Sequence, residues 1–208
     1  AERRGTFAVV VVGAGPNGVE TAGAIAENIK YGNPDATPQQ VIAAARLAAS
    51  PGLQAAAADG RPIFAVCAGM QVLGHSFYAH GTEARGISLL DVSTQPLPSR
   101  AIGEVAARPT RAGVTSALTE PLTGFENHMG ATALGPDAEA LGKVTRGTGN
   151  GAGGSSAAAS SDTAVEGVVQ GSIIATYMHG PVLARNPQLA DLLLARALGV
   201  DTAELAPL

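Results

Sequence analysis

The sequence predicts a single α/β domain over residues 1–208, in which helices cover both faces of a mainly parallel sheet. Two apolar runs, residues 7–12 and 62–66, have the continuous pattern of strands that are buried on both faces. A helical pattern lies between them, as expected for a right-handed crossover between parallel strands. The apolar residues 172–177 predict a further strand.

The remaining elements follow from helical spacing and from the placement of glycine and proline. Pro51-Gly52 is expected to interrupt the second of the predicted helices. Helices are predicted at residues 19–29, 39–58, 69–75 and 187–198, a loop at 31–38, mixed β structure at 86–108, a hairpin strand at 141–145, and an exposed flexible loop at 147–161.

The composition excludes several classes of function. A net charge of −4 without blocks of like charge argues against a nucleic-acid partner, and no apolar run is long enough for an integral membrane segment. The single cysteine rules out an internal disulfide and favours a reducing compartment, which predicts a cytoplasmic location. His75 and His80 lack cysteine or acidic partners at ligand spacing, so no metal site is predicted.

Cys67 stands where a buried strand turns into a helix. It follows residues 62–66 and precedes Ala68-Gly69, small residues that a crowded nucleophile elbow requires. The first turn of the helix would stabilise a thiolate and offer backbone N–H groups to an oxyanion. A buried and unreactive cysteine fits this position equally well.

His179 also comes directly after an apolar strand. Parallel strands bring their carboxyl ends to one edge of a sheet, so Cys67 and His179 could meet there. An imidazole beside a thiol can take its proton and later donate a proton to a leaving amine. This pairing favours acyl-transfer chemistry, but an inert cysteine remains open on these grounds.

Five separated blocks resemble the class I glutamine amidotransferase family, in the branch of cobyric acid synthases and GatD-like glutaminases. They occur in order between residues 62 and 198, and the GatD-like members are the closer match. The resemblance implies a flavodoxin-like α/β fold. The blocks are AVCAGMQVLG, GISLLD, TGFENHMGATALGP, LGKVTRGTGN and ATYMHGPVLARNPQLADLLL.

The resemblance implies a role for each candidate residue. Cys67 would attack the side-chain amide of glutamine to give a thioester and ammonia, with His179 as general base and acid. Arg100 would hold the substrate α-carboxylate, for which a guanidinium has the right geometry. The backbone of Ala68 would contact the substrate, and the ENH segment with Asn127 and His128 would form a wall of the glutamine pocket or of a partner contact. His128 as a second base is the weaker alternative.

The resemblance also implies a partner. Ammonia would pass to a MurT-like ligase subunit in a heterodimer, which would use ATP to amidate the D-glutamate of lipid II in peptidoglycan synthesis, while this chain would need no cofactor. Many family members have a glutamate two residues after the catalytic histidine, where this chain has Pro181. The acid that orients His179 is therefore expected from the ligase. The alternative acceptor is a cobyrinic acid-type substrate.

The N-terminal part departs from the family and predicts a truncated or atypical region. Gly13, Gly15 and Gly18 follow a valine-rich strand with the spacing of a dinucleotide-binding turn, but no second strand ending in an acidic residue follows. The same glycines could donate a backbone N–H to the oxyanion or form a plain strand-to-helix turn. A non-catalytic nucleotide-binding or regulatory module therefore stays a competing prediction.

Overall fold

The computed structural model describes residues 10–12, 51–79, 81–151 and 164–205. Several predicted features lie outside these residues: the helix at 19–29, the loop at 31–38, the first part of the helix at 39–58, the glycine turn after residue 12, and most of the loop at 147–161.

Four α-helices, ten strands and two short 3-10 helices, Gly113–Thr115 and Thr202–Glu204, occur in the described residues. Helices α1 to α4 span Pro51–Ala58, Ala68–Leu73, Val182–Arg185 and Pro187–Leu198. Strands β1 to β10 span Val10–Val12, Ile63–Val66, Ser76–Ala79, Thr82–Arg85, Val92–Pro109, Leu122–Leu134, Gly142–Arg146, Val165–Glu166, Val168–Gln170 and Ile173–Thr176. None of these helices is long and apolar enough to cross a membrane.

The predicted parallel sheet is present, in the order β1-β2-β10-β9. Strand β2 pairs in parallel with both β1 and β10, and β9 closes the sheet in the antiparallel direction. All residues of β2 and β10 are buried, as their continuous apolar sequences predict. These two central strands lead directly to the segments that carry Cys67 and His179.

A second sheet extends the fold beyond the parallel one. Its order is β4-β3-β5-β7-β8, with β6 paired to β5, and most of its pairings are antiparallel. The long strand β5 breaks register between Pro96 and Ala101, where prolines are tolerated because the bulge interrupts the hydrogen-bond ladder. The α/β class is confirmed, and the region predicted as mixed β contributes a strand to this second sheet.

One cluster of buried side chains connects the two sheets and the helices. It includes Phe64 of β2, Met70 of α2, Val105 of β5, Ile174 of β10 and Leu189 of α4. Complete burial of each such side chain stabilises the fold by roughly 1.5–3 kcal/mol. The candidate site is therefore built on strands and helices that share one packed core.

Helix α4 spans the predicted residues. Pro187 starts it, where the missing N–H costs nothing, and Gly199 ends it in the left-handed conformation. Leu189, Leu192 and Leu193 lie on its buried side, as their spacing predicts.

Helix α1 begins at Pro51, and the predicted interruption at Pro51-Gly52 depends on residues 39–50, which lie outside the described residues. One local prediction was wrong. Residues 147–151, predicted as exposed, include the buried Gly149 and Asn150. Asn150 exchanges hydrogen bonds with the backbone of Gly167, which holds this glycine-rich segment against the protein.

Candidate active site

Cys67 occupies a strained turn between β2 and α2. Its φ is 53° and its ψ is −110°, in a region that residues with a side chain rarely adopt. Such a conformation costs about 1–3 kcal/mol and persists only where the surrounding structure enforces it. The Cys67 N–H donates to the carbonyl of Thr176 at 2.8 Å, which ties the turn to the neighbouring strand β10. The cysteine itself is fully buried.

His179 lies beyond the end of β10, on the same edge of the sheet as Cys67. Val66 is in register with Thr176, so Cys67 and His179 both follow the carboxyl ends of adjacent parallel strands. The His179 N–H donates to the carbonyl of Phe125 on β6 at 2.8 Å. The structure therefore brings the two segments together, as the strand argument predicts.

Close packing of β6 supports the segment that carries His179. A Cβ placed on Gly124 would lie 2.5 Å from the Cβ of Met178, far inside normal contact distance. Glycine at position 124 thus allows β6 to approach closely enough for Phe125 to bind the His179 backbone. A larger residue at position 124 would move β6 away from the segment that carries Met178 and His179.

Glu166 is buried beneath this edge. Its Oε1 accepts hydrogen bonds from the hydroxyl of Thr176 and from the N–H of Tyr177, each at 2.7 Å. The Thr176 hydroxyl in turn accepts the N–H of Met178 at 3.0 Å. One carboxyl group therefore organises three successive residues between β10 and His179.

Burial raises the pKa of Glu166 to about 7, although the hydrogen bonds from Thr176 and Tyr177 act in the opposite direction. The charge of Glu126 contributes a further increase in this pKa. Protonated Glu166 is consequently the form that the folded state favours below neutral pH.

We expect this shift to make stability depend on pH. Because the folded-state pKa is raised, the contribution of Glu166 is complete below its unfolded pKa and is lost as pH rises through about 7. The Glu166→Gln variant keeps an acceptor oxygen at this position but cannot ionise. Between pH 4.5 and 8, the free energy of unfolding of the variant relative to the parent should therefore rise by about 3 kcal/mol. Urea unfolding at several pH values across this range measures the difference. If the free energies of unfolding of parent and variant changed with pH in the same way, the prediction would be contradicted.

Tyr177 connects the strand end to the helix after Cys67. Its hydroxyl accepts from Gln71 Nε2 of α2 at 3.0 Å and shares a 2.7 Å hydrogen bond with Thr132 of β6. Burial raises the pKa of Tyr177, and the charge of Cys67 raises it further. A Cβ on Gly130 would lie 2.5 Å from both Gln71 Nε2 and the Tyr177 hydroxyl, so glycine is needed for this network to close.

His128 and Glu126 lie behind the site and not on its surface. The His128 ring is fully buried and stacks on Tyr177 with ring centres 3.7 Å apart. Glu126 Oε2 lies 3.7 Å from His128 Nε2, and the carboxylate accepts the N–H groups of Thr148 and Gly149 at 2.7 and 2.9 Å. The His128 ring is therefore part of the packed interior in this structure, and its role in a wall of the glutamine pocket or of a partner contact stays a prediction.

The pKa of Glu126 is lowered although burial alone would raise it. The facing His128 ring and the N–H groups of Thr148 and Gly149 stabilise the charged carboxylate and outweigh the burial. The surroundings of Glu126 therefore favour its charged form, whereas those of Glu166 favour its protonated form.

Arg100 and Asn127 meet on neighbouring strands. The Arg100 guanidinium donates to Asn127 Oδ1 at 2.9 Å and is exposed. Asn127 is two residues from Phe125 on β6, so both side chains point to the same face of the strand. The structure therefore places the predicted carboxylate-binding arginine beside the strand that holds the His179 backbone.

Of the other residues predicted to contact the substrate, Ala68 lies within the described residues, whereas Gly13 and Gly15 do not. Ala68 is the first residue of α2 and is buried. Gly13 and Gly15 lie outside the described residues, but β1 pairs in parallel with β2 and ends at Val12. The role of Gly13 and Gly15 at the oxyanion therefore stays a prediction.

Sequence reasoning missed Glu166 and Tyr177. An acidic residue in the apolar stretch VEGVV was an available signal for Glu166, since a buried carboxyl needs dedicated partners. No comparable signal marked Tyr177, because its role depends on side chains from three different elements.

Another hydrogen-bonded group lies apart from these residues. His75 contacts the hydroxyl of Ser88 and the carboxylate of Asp91, each at 3.0 Å. Asp91 also accepts the N–H of Asp137, which is the first reason that its pKa is lowered, ahead of its bond to His75. These contacts connect the turn after α2 to the segment that precedes β5. Among the described residues no three His, Cys, Asp or Glu side chains are placed to hold a metal ion.

Residues 35–187 match the CobB/CobQ-like glutamine amidotransferase domain, and the chain belongs to that family. It is 33% identical over 146 residues to the lipid II isoglutaminyl synthase (glutamine-hydrolyzing) subunit GatD of Staphylococcus aureus, covering 70% of this chain and 53% of that protein. The corresponding subunit of Streptococcus pneumoniae is 32% identical, with 65% and 47% covered. A cobyric acid synthase of Sphingopyxis alaskensis is 32% identical, with 66% and 24% covered. The chain spans about half the length of the two GatD relatives.

Proposed function

We propose that this chain hydrolyses glutamine, with Cys67 as the nucleophile. The observation that carries the proposal is the strained backbone of Cys67 at the carboxyl edge of the parallel sheet, bonded to the strand that leads to His179. Strain of this kind is maintained by surrounding structure and is concentrated at functional sites. An inert core cysteine has no need of it.

The reaction follows from the chemistry of these groups. The Cys67 sulfur attacks the side-chain amide carbon of glutamine while His179 accepts the thiol proton. His179 then donates a proton to the departing nitrogen, which leaves as ammonia, and a thioester remains on Cys67. Water, activated by the same imidazole, attacks the thioester and releases glutamate together with the free thiol.

Binding groups for glutamine come from the surrounding backbone and from β5. The N–H of Ala68, in the first turn of α2, has no acceptor within its own helix and can serve the oxyanion. Gly13 and Gly15 are proposed to provide the opposite donor. Arg100 is proposed to hold the α-carboxylate, with its guanidinium directed by Asn127. This half-reaction requires no cofactor in the chain.

The acceptor of ammonia is proposed to be a Mur-ligase-like subunit that amidates the D-glutamate of lipid II and uses ATP. This acceptor is supported by two relatives, both of which are glutamine-hydrolysing subunits of lipid II isoglutaminyl synthase. Pro181 replaces the glutamate that many family members have two residues after the histidine. We therefore propose that the ligase subunit supplies the acid that orients His179, and that the two chains act as a cytoplasmic heterodimer.

We expect the isolated chain to hydrolyse glutamine slowly and to gain activity on binding the ligase. An acid that orients the histidine and a completed pocket should raise glutaminase kcat by about a hundredfold. Glutamate release, measured with and without a MurT-like ligase, tests this dependence, and the Cys67→Ala complex provides the background rate. Full activity of the chain alone would contradict the proposed role of the partner.

A cobyrinic acid-type acceptor is the second candidate, supported by the cobyric acid synthase relative. The two acceptors are distinguished by testing which synthetase is stimulated by this chain and glutamine. Amidation of a corrinoid carboxylate, with no amidation of lipid II, would establish the second candidate in place of the first.

A further inference from the structure

We infer that Glu166 is a positioning residue that holds the backbone segments of Cys67 and His179 in place across the two adjacent strands. The inference rests on the proposed roles of Cys67 and His179. It concerns how the protein keeps them at the sheet edge, and Glu166 itself need not touch glutamine.

The connection to Cys67 passes through a single residue. Thr176 donates its hydroxyl to Glu166 Oε1 at 2.7 Å and accepts the Cys67 N–H at its carbonyl at 2.8 Å. Fixing the Thr176 side chain therefore restricts the peptide to which the strained cysteine is tied. Without the acceptor at Glu166, the threonine hydroxyl is free to rotate and the turn loses one of its constraints.

The connection toward His179 uses the same carboxyl oxygen. Glu166 Oε1 accepts the N–H of Tyr177, and the Thr176 hydroxyl accepts the N–H of Met178. These bonds fix the two residues that precede His179, whose own N–H is bound to Phe125 of β6. The histidine backbone is therefore held on one side by Glu166 and on the other by β6.

The burial of Glu166 indicates that this role is specific. The Glu166 side chain is fully buried between β8 and the carboxyl end of β10, and this burial raises its pKa. Burying an ionisable group costs free energy unless it is hydrogen-bonded, and Glu166 Oε1 meets this condition through Thr176 and Tyr177. Removing it would leave the buried N–H of Tyr177 without its acceptor, which costs more than the loss of an exposed bond.

The test uses three variants of the protein and one control, each measured together with the ligase partner. Glu166→Gln keeps the acceptor oxygen, Glu166→Ala removes it, and Thr176→Val removes the bridging hydroxyl while keeping the size of the side chain. Leu192→Ala in helix α4 is the control, since it disturbs the core at a residue outside the site. The readouts are the inactivation rate and apparent affinity for the glutamine analogue diazo-oxo-norleucine, and amide hydrogen exchange at Cys67 and Met178.

We expect Glu166→Ala and Thr176→Val to slow inactivation by ten- to a hundredfold at nearly unchanged affinity, because small displacements of reacting groups are costly. Both should raise amide exchange at Cys67 and Met178, whereas Glu166→Gln and Leu192→Ala should stay within about threefold of the parent inactivation rate. The inference would be overturned if Glu166→Ala and Thr176→Val kept the inactivation and exchange rates of the parent. It would also be overturned if Glu166→Gln slowed inactivation as much as Glu166→Ala does. A parent that does not react with the analogue, with and without the ligase partner, would contradict the proposed function, and the exchange rates alone would then decide the role of Glu166.

Discussion

The Cys67→Ala variant is expected to lose glutamine hydrolysis by a factor of roughly ten thousand or more, because removal of the nucleophile prevents formation of the thioester. Alanine keeps a Cβ and can follow the same backbone path, so the N–H bond to Thr176 should remain. The variant should still fold, since only one sulfur atom is removed from the core. Glutamate release with the ligase present measures the loss.

Stability measurements separate loss of chemistry from loss of structure in this variant. The free energy of unfolding, measured in urea, should change by no more than a typical single core substitution allows, roughly 1 kcal/mol. A folded Cys67→Ala protein that retains activity within tenfold of the parent would show that another residue is the nucleophile.

The His179→Gln variant is expected to lose a hundredfold to ten-thousandfold in kcat, with KM for glutamine changed only slightly. Glutamine preserves the approximate size of the ring and the backbone N–H that binds Phe125, but it cannot accept and return a proton. The initial attack and the hydrolysis of the thioester should both slow. Burst kinetics of ammonia release would show which step limits the variant.

His75→Gln is the matched control for this variant. His75 is an exposed histidine that bonds to Ser88 and Asp91, in a turn outside the proposed site. Its replacement should leave kcat unchanged. An equal loss of activity in both histidine variants would indicate a general structural effect and would remove the support for His179 as general base and acid.

Much of the architecture around the site could be predicted because it depends on local sequence. The continuous apolar runs predicted β2 and β10, and leucine spacing with a terminal proline predicted helix α4. Once the two strands were recognised as parallel, the rule about their carboxyl ends was sufficient to place Cys67 and His179 on one edge.

The supporting residues could not be predicted in the same way, because their roles depend on contacts between distant elements. The alternation along β6 shows that Glu126 and His128 share a face, but only packing against Tyr177 shows that this face is closed. Glycine-rich residues 147–151 were predicted to be exposed, yet Glu126, more than twenty positions earlier, binds two of their N–H groups.

Covalent labelling of Cys67 by diazo-oxo-norleucine tests the central claim most directly. The chain has a single cysteine, so peptide mass spectrometry can locate an adduct without ambiguity. The proposed function predicts a stoichiometric adduct on Cys67 in the presence of the ligase partner, and protection of this residue by excess glutamine. No adduct on Cys67, with and without the partner, would contradict the enzymatic function and favour a non-catalytic module.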